Sequence, residues 1–301
     1  MGHCVSIQTI IEKPPHKSKP TRKADFSFIY KLPDPRVYFS TLAPLYYRVP
    51  QQALPVFNRV LNLSARDTAP RKILDVCCSY GINAALLRYD VDFDALTTHF
   101  ARSNLPPEQQ ITIDRQFFAS CPRASQSDIT VLGLDAAPNA VRYAVDVGLL
   151  ADGWAEDLET SEPSPLLRSA LRDVGLVVCT GGVGYIGATT FARIAAAVAD
   201  PYDLWVVAFV LRVVDYDDVV AAFSRYGLVT EKLPGILFRQ RLFTTPEEQS
   251  AAVADVASRG LDPTGLEADG WFYSECYVTR PAAETLRIPI TQLVPLFQNY
   301  S

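Results

Sequence analysis

The sequence predicts an α/β protein built on a doubly wound, mostly parallel sheet. Three observations carry this expectation. From residue 71 onward, short β-type runs alternate with segments of helical period, as in strand–helix–strand units. The first run ends in a tight turn of small residues that opens a helix. The last two runs read as a late pair with little between them, which suggests an antiparallel edge.

Taken in order, residues 1–24 read as a flexible basic tail, polar and broken by Pro14, Pro15 and Pro20. Residues 25–66 read as an aromatic lid, with Phe26, Phe28, Tyr30, Tyr38, Phe39, Tyr46, Tyr47 and Phe57 crowded between prolines. Two short helices are expected there, near 35–41 and 51–62. Residues 67–301 hold the sheet. Strands are expected at 71–76, 129–134, 154–158, 174–178, 204–211, 237–243 and 272–278, seven in all. Helices are expected at 82–89, 138–149, 165–172, 190–199 and 217–226. The stretch 90–127 reads as an insertion of loop and helix, with the helical part at 93–101.

Composition limits the function classes. The chain has 301 residues, 49% hydrophobic and 20% charged, as an ordinary globular protein has. That excludes wholesale disorder, a collagen-like fibre and a coiled coil. A formal net charge of −5 offers no basic field for nucleic acid. The longest apolar run, 204–214, falls well short of the ~20 residues of a membrane span. His3, Cys4 and the lysines that follow include no apolar signal region. Six cysteines are scattered without a C-x-x-C pair, and Cys77 and Cys78 are adjacent, so reduced thiols in a cytoplasmic protein without a metal site are expected.

In such a sheet, ligands sit at the carboxyl ends of the strands, at the switch point beside the first strand. Asp75-Val-Cys77-Cys78-Ser79-Tyr80-Gly81 stands there, with small residues that let backbone approach a ligand. Asp135 ends the second strand, where a carboxylate can accept two hydrogen bonds from ribose hydroxyls. Asp157 is expected to end the third strand, facing an adenine amino group, with Ala136 and Leu158 flanking the base. Thr180-Gly181 follows the fourth strand. A dinucleotide loop would need G-x-G-x-x-G to seat a pyrophosphate, and this turn lacks it.

These residues resemble the class I S-adenosylmethionine-dependent methyltransferases. The family's first motif is a hydrophobic strand followed by Asp-x-Gly-x-Gly-x-Gly. Asp75 and Gly81 match it, while Cys77 and Ser79 stand at the first two glycines. Asp135 matches the ribose-binding acid, Asp157-Leu158 the adenine contact, and Thr180-Gly181 the position lining the methionine end. The resemblance covers about residues 70–280. It implies a Rossmann-like methyltransferase fold, S-adenosylmethionine as cofactor and a methyl acceptor. The acidic charge and the lid suggest a small molecule, of the kind met in specialised metabolism.

Candidates for a base are few. Tyr185, after the glycine turn, and His99, in the insertion, are the two best, with Glu275 a third. Each also reads as structural: a packing aromatic, a surface histidine and a solvent-facing strand residue. Tyr30, Tyr38, Tyr46 and Tyr47 are candidates to cover the cofactor or an apolar substrate. Two alternatives stay open. One is a cyclase that closes the cofactor's aminobutyrate chain to azetidine-2-carboxylate and releases methylthioadenosine, with Asn139 and Tyr185 as its polar cradle. The other is a pseudoenzyme that binds the cofactor as a regulatory module. The oligomeric state is open.

Overall fold

A computed structural model describes residues 23–64, 71–123, 129–200 and 203–294. Five parallel strands form the body of the sheet: β1 (Arg71–Val76), β2 (Ile129–Asp135), β3 (Asp152–Ala155), β4 (Leu176–Thr180) and β5 (Trp205–Leu211). Three more join at one edge: β6 (Leu228–Lys232), β7 (Phe238–Leu242) and β8 (Trp271–Pro281). The order is β3-β2-β1-β4-β5-β8-β6, with β7 also paired to β8. β8 runs antiparallel to β5, β6 and β7. The expected doubly wound class holds, with eight strands rather than seven. The eighth is β6, which the sequence reading passed over.

β8 is long enough to serve two neighbours on one side. Its first residues pair with β7 and its last with β6. The β7 ladder slips between Arg239 and Arg241, leaving Gln240 as an extra residue.

Successive strand residues face opposite sides, and both sides are covered. In β5 every residue is buried. Trp205, Val207 and Phe209 join the core on one side, and Val206, Ala208 and Val210 the core on the other. The first core is closed by α2 (Val49–Ser64), α3 (Ile82–Arg88) and α6 (Pro138–Val147), and the second by α7 (Pro165–Leu171), α8 (Ala188–Ala197) and α9 (Asp217–Ser224). α6 shows why these segments are helices. Pro138 sits in its first turn, Ala140, Val141, Tyr143, Ala144 and Val147 line one face, and Gly148 ends it at φ 86°.

Several expectations are corrected. The segment 90–127 carries the helix expected at 93–101, α4 (Phe93–Ala101), and a second one not expected, α5 (Pro107–Ala119), which buries Gln110 and Asp114. α10 (Pro246–Ser258) was not foreseen. β3 ends at Ala155, two residues before Asp157. α1 (Arg36–Leu42) and α2 pack into the same core as Ile73 of β1, with Phe39 stacked on Phe100 at 4.8 Å. The strap at 23–31 lies over the sheet's carboxyl end, together with Tyr38, Leu42, Tyr47 and Pro50 of the same segment. Of the basic tail, residues 1–22 lie outside the described residues. Among the described residues no helix is long and apolar enough to cross a membrane.

Candidate functional site

The chain runs from β1 to β2 on one side and reaches β4 on the other, so a crevice opens at the carboxyl ends of β1 and β4. A cavity of about 550 Å³ lies there, within the ~300–1,000 Å³ of small-molecule sites.

The turn after β1 is held by its own backbone. Cys77 N and Cys78 N donate to Leu134 O, and Gly81 N donates to Cys78 O. Ser79 N donates to Asp135 Oδ2 at 2.9 Å. The other Asp135 oxygen accepts from Ala137 N at 2.9 Å. Four of the five amides from 77 to 81 are thus spent inside the protein. Burial raises the Asp135 pKa, and the amides of Ser79, Ala137 and Ala136 oppose that shift.

Cys77 and Ser79 lie in the left-handed region, at φ 58° and 52°. Only glycine enters it without a penalty of roughly 1–2 kcal/mol. The Ser79 hydroxyl is buried without a partner. Ser79→Gly removes both costs and adds a backbone-entropy cost of roughly 0.5–1 kcal/mol. We expect it to stabilise the chain by about 1 kcal/mol, a rise of roughly 2–4 °C in Tm. Ser79→Ala keeps the strained backbone and should gain less. Calorimetric melting of both variants checks this, and a glycine variant that melts below wild type contradicts it.

Two further orphan atoms lie at or behind the cavity wall. Thr190 Oγ1, on the cavity wall, is buried without a partner, as is Asp75 Oδ2. Asp75 does not line the cavity. Its other oxygen accepts from Asn83 Nδ2 at 2.8 Å, and Asn83 in turn reaches Thr180 Oγ1 at 3.0 Å. Burial pushes the Asp75 pKa up to about 7, with the Asn83 bond pulling it down and Asp135 pushing it further up.

The strap and helices supply the roof. Tyr30, Tyr38 and Tyr47 line the cavity, and burial holds all three phenols protonated well above neutral pH. The rings of Tyr38 and Tyr47 meet edge-on at 6.3 Å. Cys77 shares a thiol hydrogen bond with Cys179, which together with burial keeps its pKa raised.

The cavity collects Cys77, Cys78, Ser79, Asp135, Ala136, Asn139, Asp157, Leu158, Thr180, Gly181 and Tyr185 from the expected site residues. Others lie elsewhere. Tyr80 is fully buried, and its hydroxyl lies 2.7 Å from Ile29 O and 2.9 Å from Leu32 O, so it anchors the strap from below. Gly81 caps α3, and a Cβ on it would sit 3.0 Å from Ala144 Cβ, so its work is helix packing. Tyr46 is exposed and faces Trp271. His99 pairs with Asp114 at 2.6 Å and stacks on Phe117 at 4.0 Å, away from the cavity. Glu275 accepts from Lys232 Nζ and Tyr277 Oη, also away from it. Asp157 spends both oxygens on its own turn, accepting from Glu159 N and Thr160 Oγ1.

Sequence reasoning missed Lys23, Asn83, Thr190, Gln240 and Arg241, all on the cavity wall. Arg241 in β7 meets Glu248 of α10 through both terminal nitrogens, between the rings of Phe26 and Phe272. Glu248 also accepts from Ala24 N at 2.8 Å, which ties the strap down.

The chain matches no family model and no curated protein. Among solved structures it is similar to a TehB-like SAM-dependent methyltransferase from Corynebacterium glutamicum ATCC 13032 Kitasato, at 17% identity and TM-score 0.38, over 74% of this chain and 86% of that one. A magnesium protoporphyrin IX methyltransferase from Synechocystis PCC 6803, with bound SAM, is similar at 10% identity and TM-score 0.36, over 76% and 79%. A precorrin-6y C5,15-methyltransferase from Geobacter metallireducens GS-15 is similar at 11% and 0.36, over 74% and 86%.

Proposed function

We propose that the cavity binds S-adenosylmethionine and that the chain transfers its methyl group to a small molecule, of the kind met in specialised metabolism. One observation carries this reading: the Asp135 carboxylate is bonded to the Ser79 amide at the turn after β1. A pyrophosphate would need free amides there and would meet a carboxylate instead. A cofactor with a sugar and a sulfonium, and no phosphate, suits the same place.

Asp135 retains lone pairs for ribose hydroxyls, since each of its oxygens accepts one amide. Ala136 and Leu158 would flank the adenine, with Asp157 at its edge. Thr180, Gly181 and Cys77 would line the aminobutyrate arm. The faces of Tyr30, Tyr38 and Tyr47 would attract a sulfonium by roughly 0.5–2 kcal/mol. When bound, the cofactor supplies an electrophilic methyl carbon and leaves as a neutral thioether, so no acid is needed. The protein's own work is to exclude water and to align the acceptor. Its cavity tyrosines stay protonated and serve as donors rather than bases.

A second reading is kept for one reason: His99 and Glu275, two of the three expected bases, lie away from the cavity. In the cyclase reading the cofactor's amine attacks its own γ-carbon, the carbon–sulfur bond breaks, methylthioadenosine leaves and the nitrogen loses a proton. Incubation with S-adenosylmethionine alone, followed by mass spectrometry, separates the two. Methyl transfer predicts that the cofactor survives until an acceptor is added, whereas methylthioadenosine without acceptor supports cyclisation. Absence of S-adenosylhomocysteine binding in calorimetry sinks both.

A further inference from the structure

Three cations line the cavity: Lys23, Lys31 and Arg241. Arg241 is fully engaged with Glu248. Lys31 is exposed. Lys23 is different. It is partly buried, its ammonium rests over the Tyr185 ring at 5.0 Å, and among the described residues it forms no ion pair. Tyr185 follows the turn after β4, so the pair belongs to the β4 side of the crevice, whose wall also includes Thr180 and Gly181.

We propose that Lys23 and the Tyr185 face form a binding post for a carboxylate. The inference rests on the cofactor reading above and adds a role that the expected site residues lacked. Lys23 is half-buried and its ammonium meets a ring face and, among the described residues, no carboxylate within ion-pair reach, so a bound anion would supply the missing counter-charge. The anion is singly charged because the surroundings are acidic and apolar. Asp25, Asp135 and Glu156 share the cavity wall, and Phe26 and Tyr30 supply ring surface, so a phosphate dianion would be repelled. Burial, with Arg241 nearby, lowers the Lys23 pKa to about 8 while Glu248 pulls it back up. The amine is therefore charged at neutral pH yet weakly solvated. Two sources fit: the carboxylate of the cofactor's own aminobutyrate arm, and that of an acidic acceptor.

The test is calorimetric, with full-length wild type, Lys23→Met and Lys23→Arg. S-adenosylhomocysteine carries the carboxylate and methylthioadenosine lacks it. A tenfold or greater loss of S-adenosylhomocysteine affinity in Lys23→Met, with methylthioadenosine unchanged and the arginine variant restored, assigns the post to the cofactor. Unchanged S-adenosylhomocysteine affinity, with loss of propionate binding to the S-adenosylhomocysteine-saturated protein, assigns it to the acceptor. If Lys23→Met alters neither titration, the post does not exist. If wild type binds neither nucleoside, the cofactor reading fails first and the post falls with it.

Discussion

Replacing Glu248 with alanine is expected to cost the fold about 3–5 kcal/mol, the usual loss when a buried ion pair is stripped of one partner. The Arg241 guanidinium is 2% exposed and held between the rings of Phe26 and Phe272, so little solvent replaces a lost carboxylate. Glu248 also accepts from Thr244 N, Thr244 Oγ1 and Ala24 N. Burial works against its ionisation, but bonds from Arg241, Thr244 and Ala24 outweigh this and bring its pKa down to about 2. A carboxylate lowered in this way stabilises the fold above its unfolded pKa of about 4.3, and the contribution disappears as pH falls from there through about 2. Urea midpoints of wild type should therefore drop steeply over that window, and those of Glu248→Ala much less. Glu248→Gln keeps acceptor and shape and should fall between. A double replacement, Arg241→Met with Glu248→Leu, should recover much of the loss. An alanine variant within 1 kcal/mol of wild type at pH 7 would show that the pair carries little. The strap should loosen with it, because Ala24 N loses its acceptor.

Asp135→Ala is expected to weaken nucleoside binding by about 1–3 kcal/mol, roughly 5- to 150-fold, through lost charge-assisted hydrogen bonds. The structure complicates the substitution, since the same carboxylate holds Ser79 N and Ala137 N. Part of any loss would come from a freed turn rather than from the ligand. A ligand cycle separates the two. Wild type should bind adenosine more tightly than 2′,3′-dideoxyadenosine, and Asp135→Ala should bind them alike. If the preference for the hydroxyls survives in the variant, Asp135 does not hold the sugar. If adenosine binds the variant as tightly as wild type, the assigned orientation is wrong.

The elements with a strong pattern were legible in the sequence. β1, β2 and α6 lie within a residue or two of expectation, because buried parallel strands read as apolar runs and α6 has both a proline start and a glycine stop. β6 was passed over because it is an edge strand with one buried residue of five, Leu228. α5 was read as loop because its inward face includes Gln110 and Asp114, which hydrogen bond each other. That miss concealed the nature of His99, whose partner is Asp114. α10 did carry a local signal, Thr245-Pro-Glu-Glu248, with the Thr245 hydroxyl accepting from Glu248 N as a helix cap does. In the cavity, the residues legible beforehand either follow strand ends, where topology fixes position, or belong to the crowded N-terminal aromatics Tyr30, Tyr38 and Tyr47. Lys23, Gln240 and Arg241 arrive from distant segments, and no short motif brings them together.

The slip between β7 and β8 has a consequence for how this wall can vary. In a regular strand, neighbours point to opposite sides, yet Gln240 and Arg241 are both buried and both reach the cavity. The supernumerary residue makes this possible by halting the alternation for one step. A chain one residue shorter here would rotate the guanidinium onto the far surface and strand its carboxylate partner. Homologous chains that keep the clamp should therefore share the same residue count between Phe238 and Glu248, however freely the side chains between them drift.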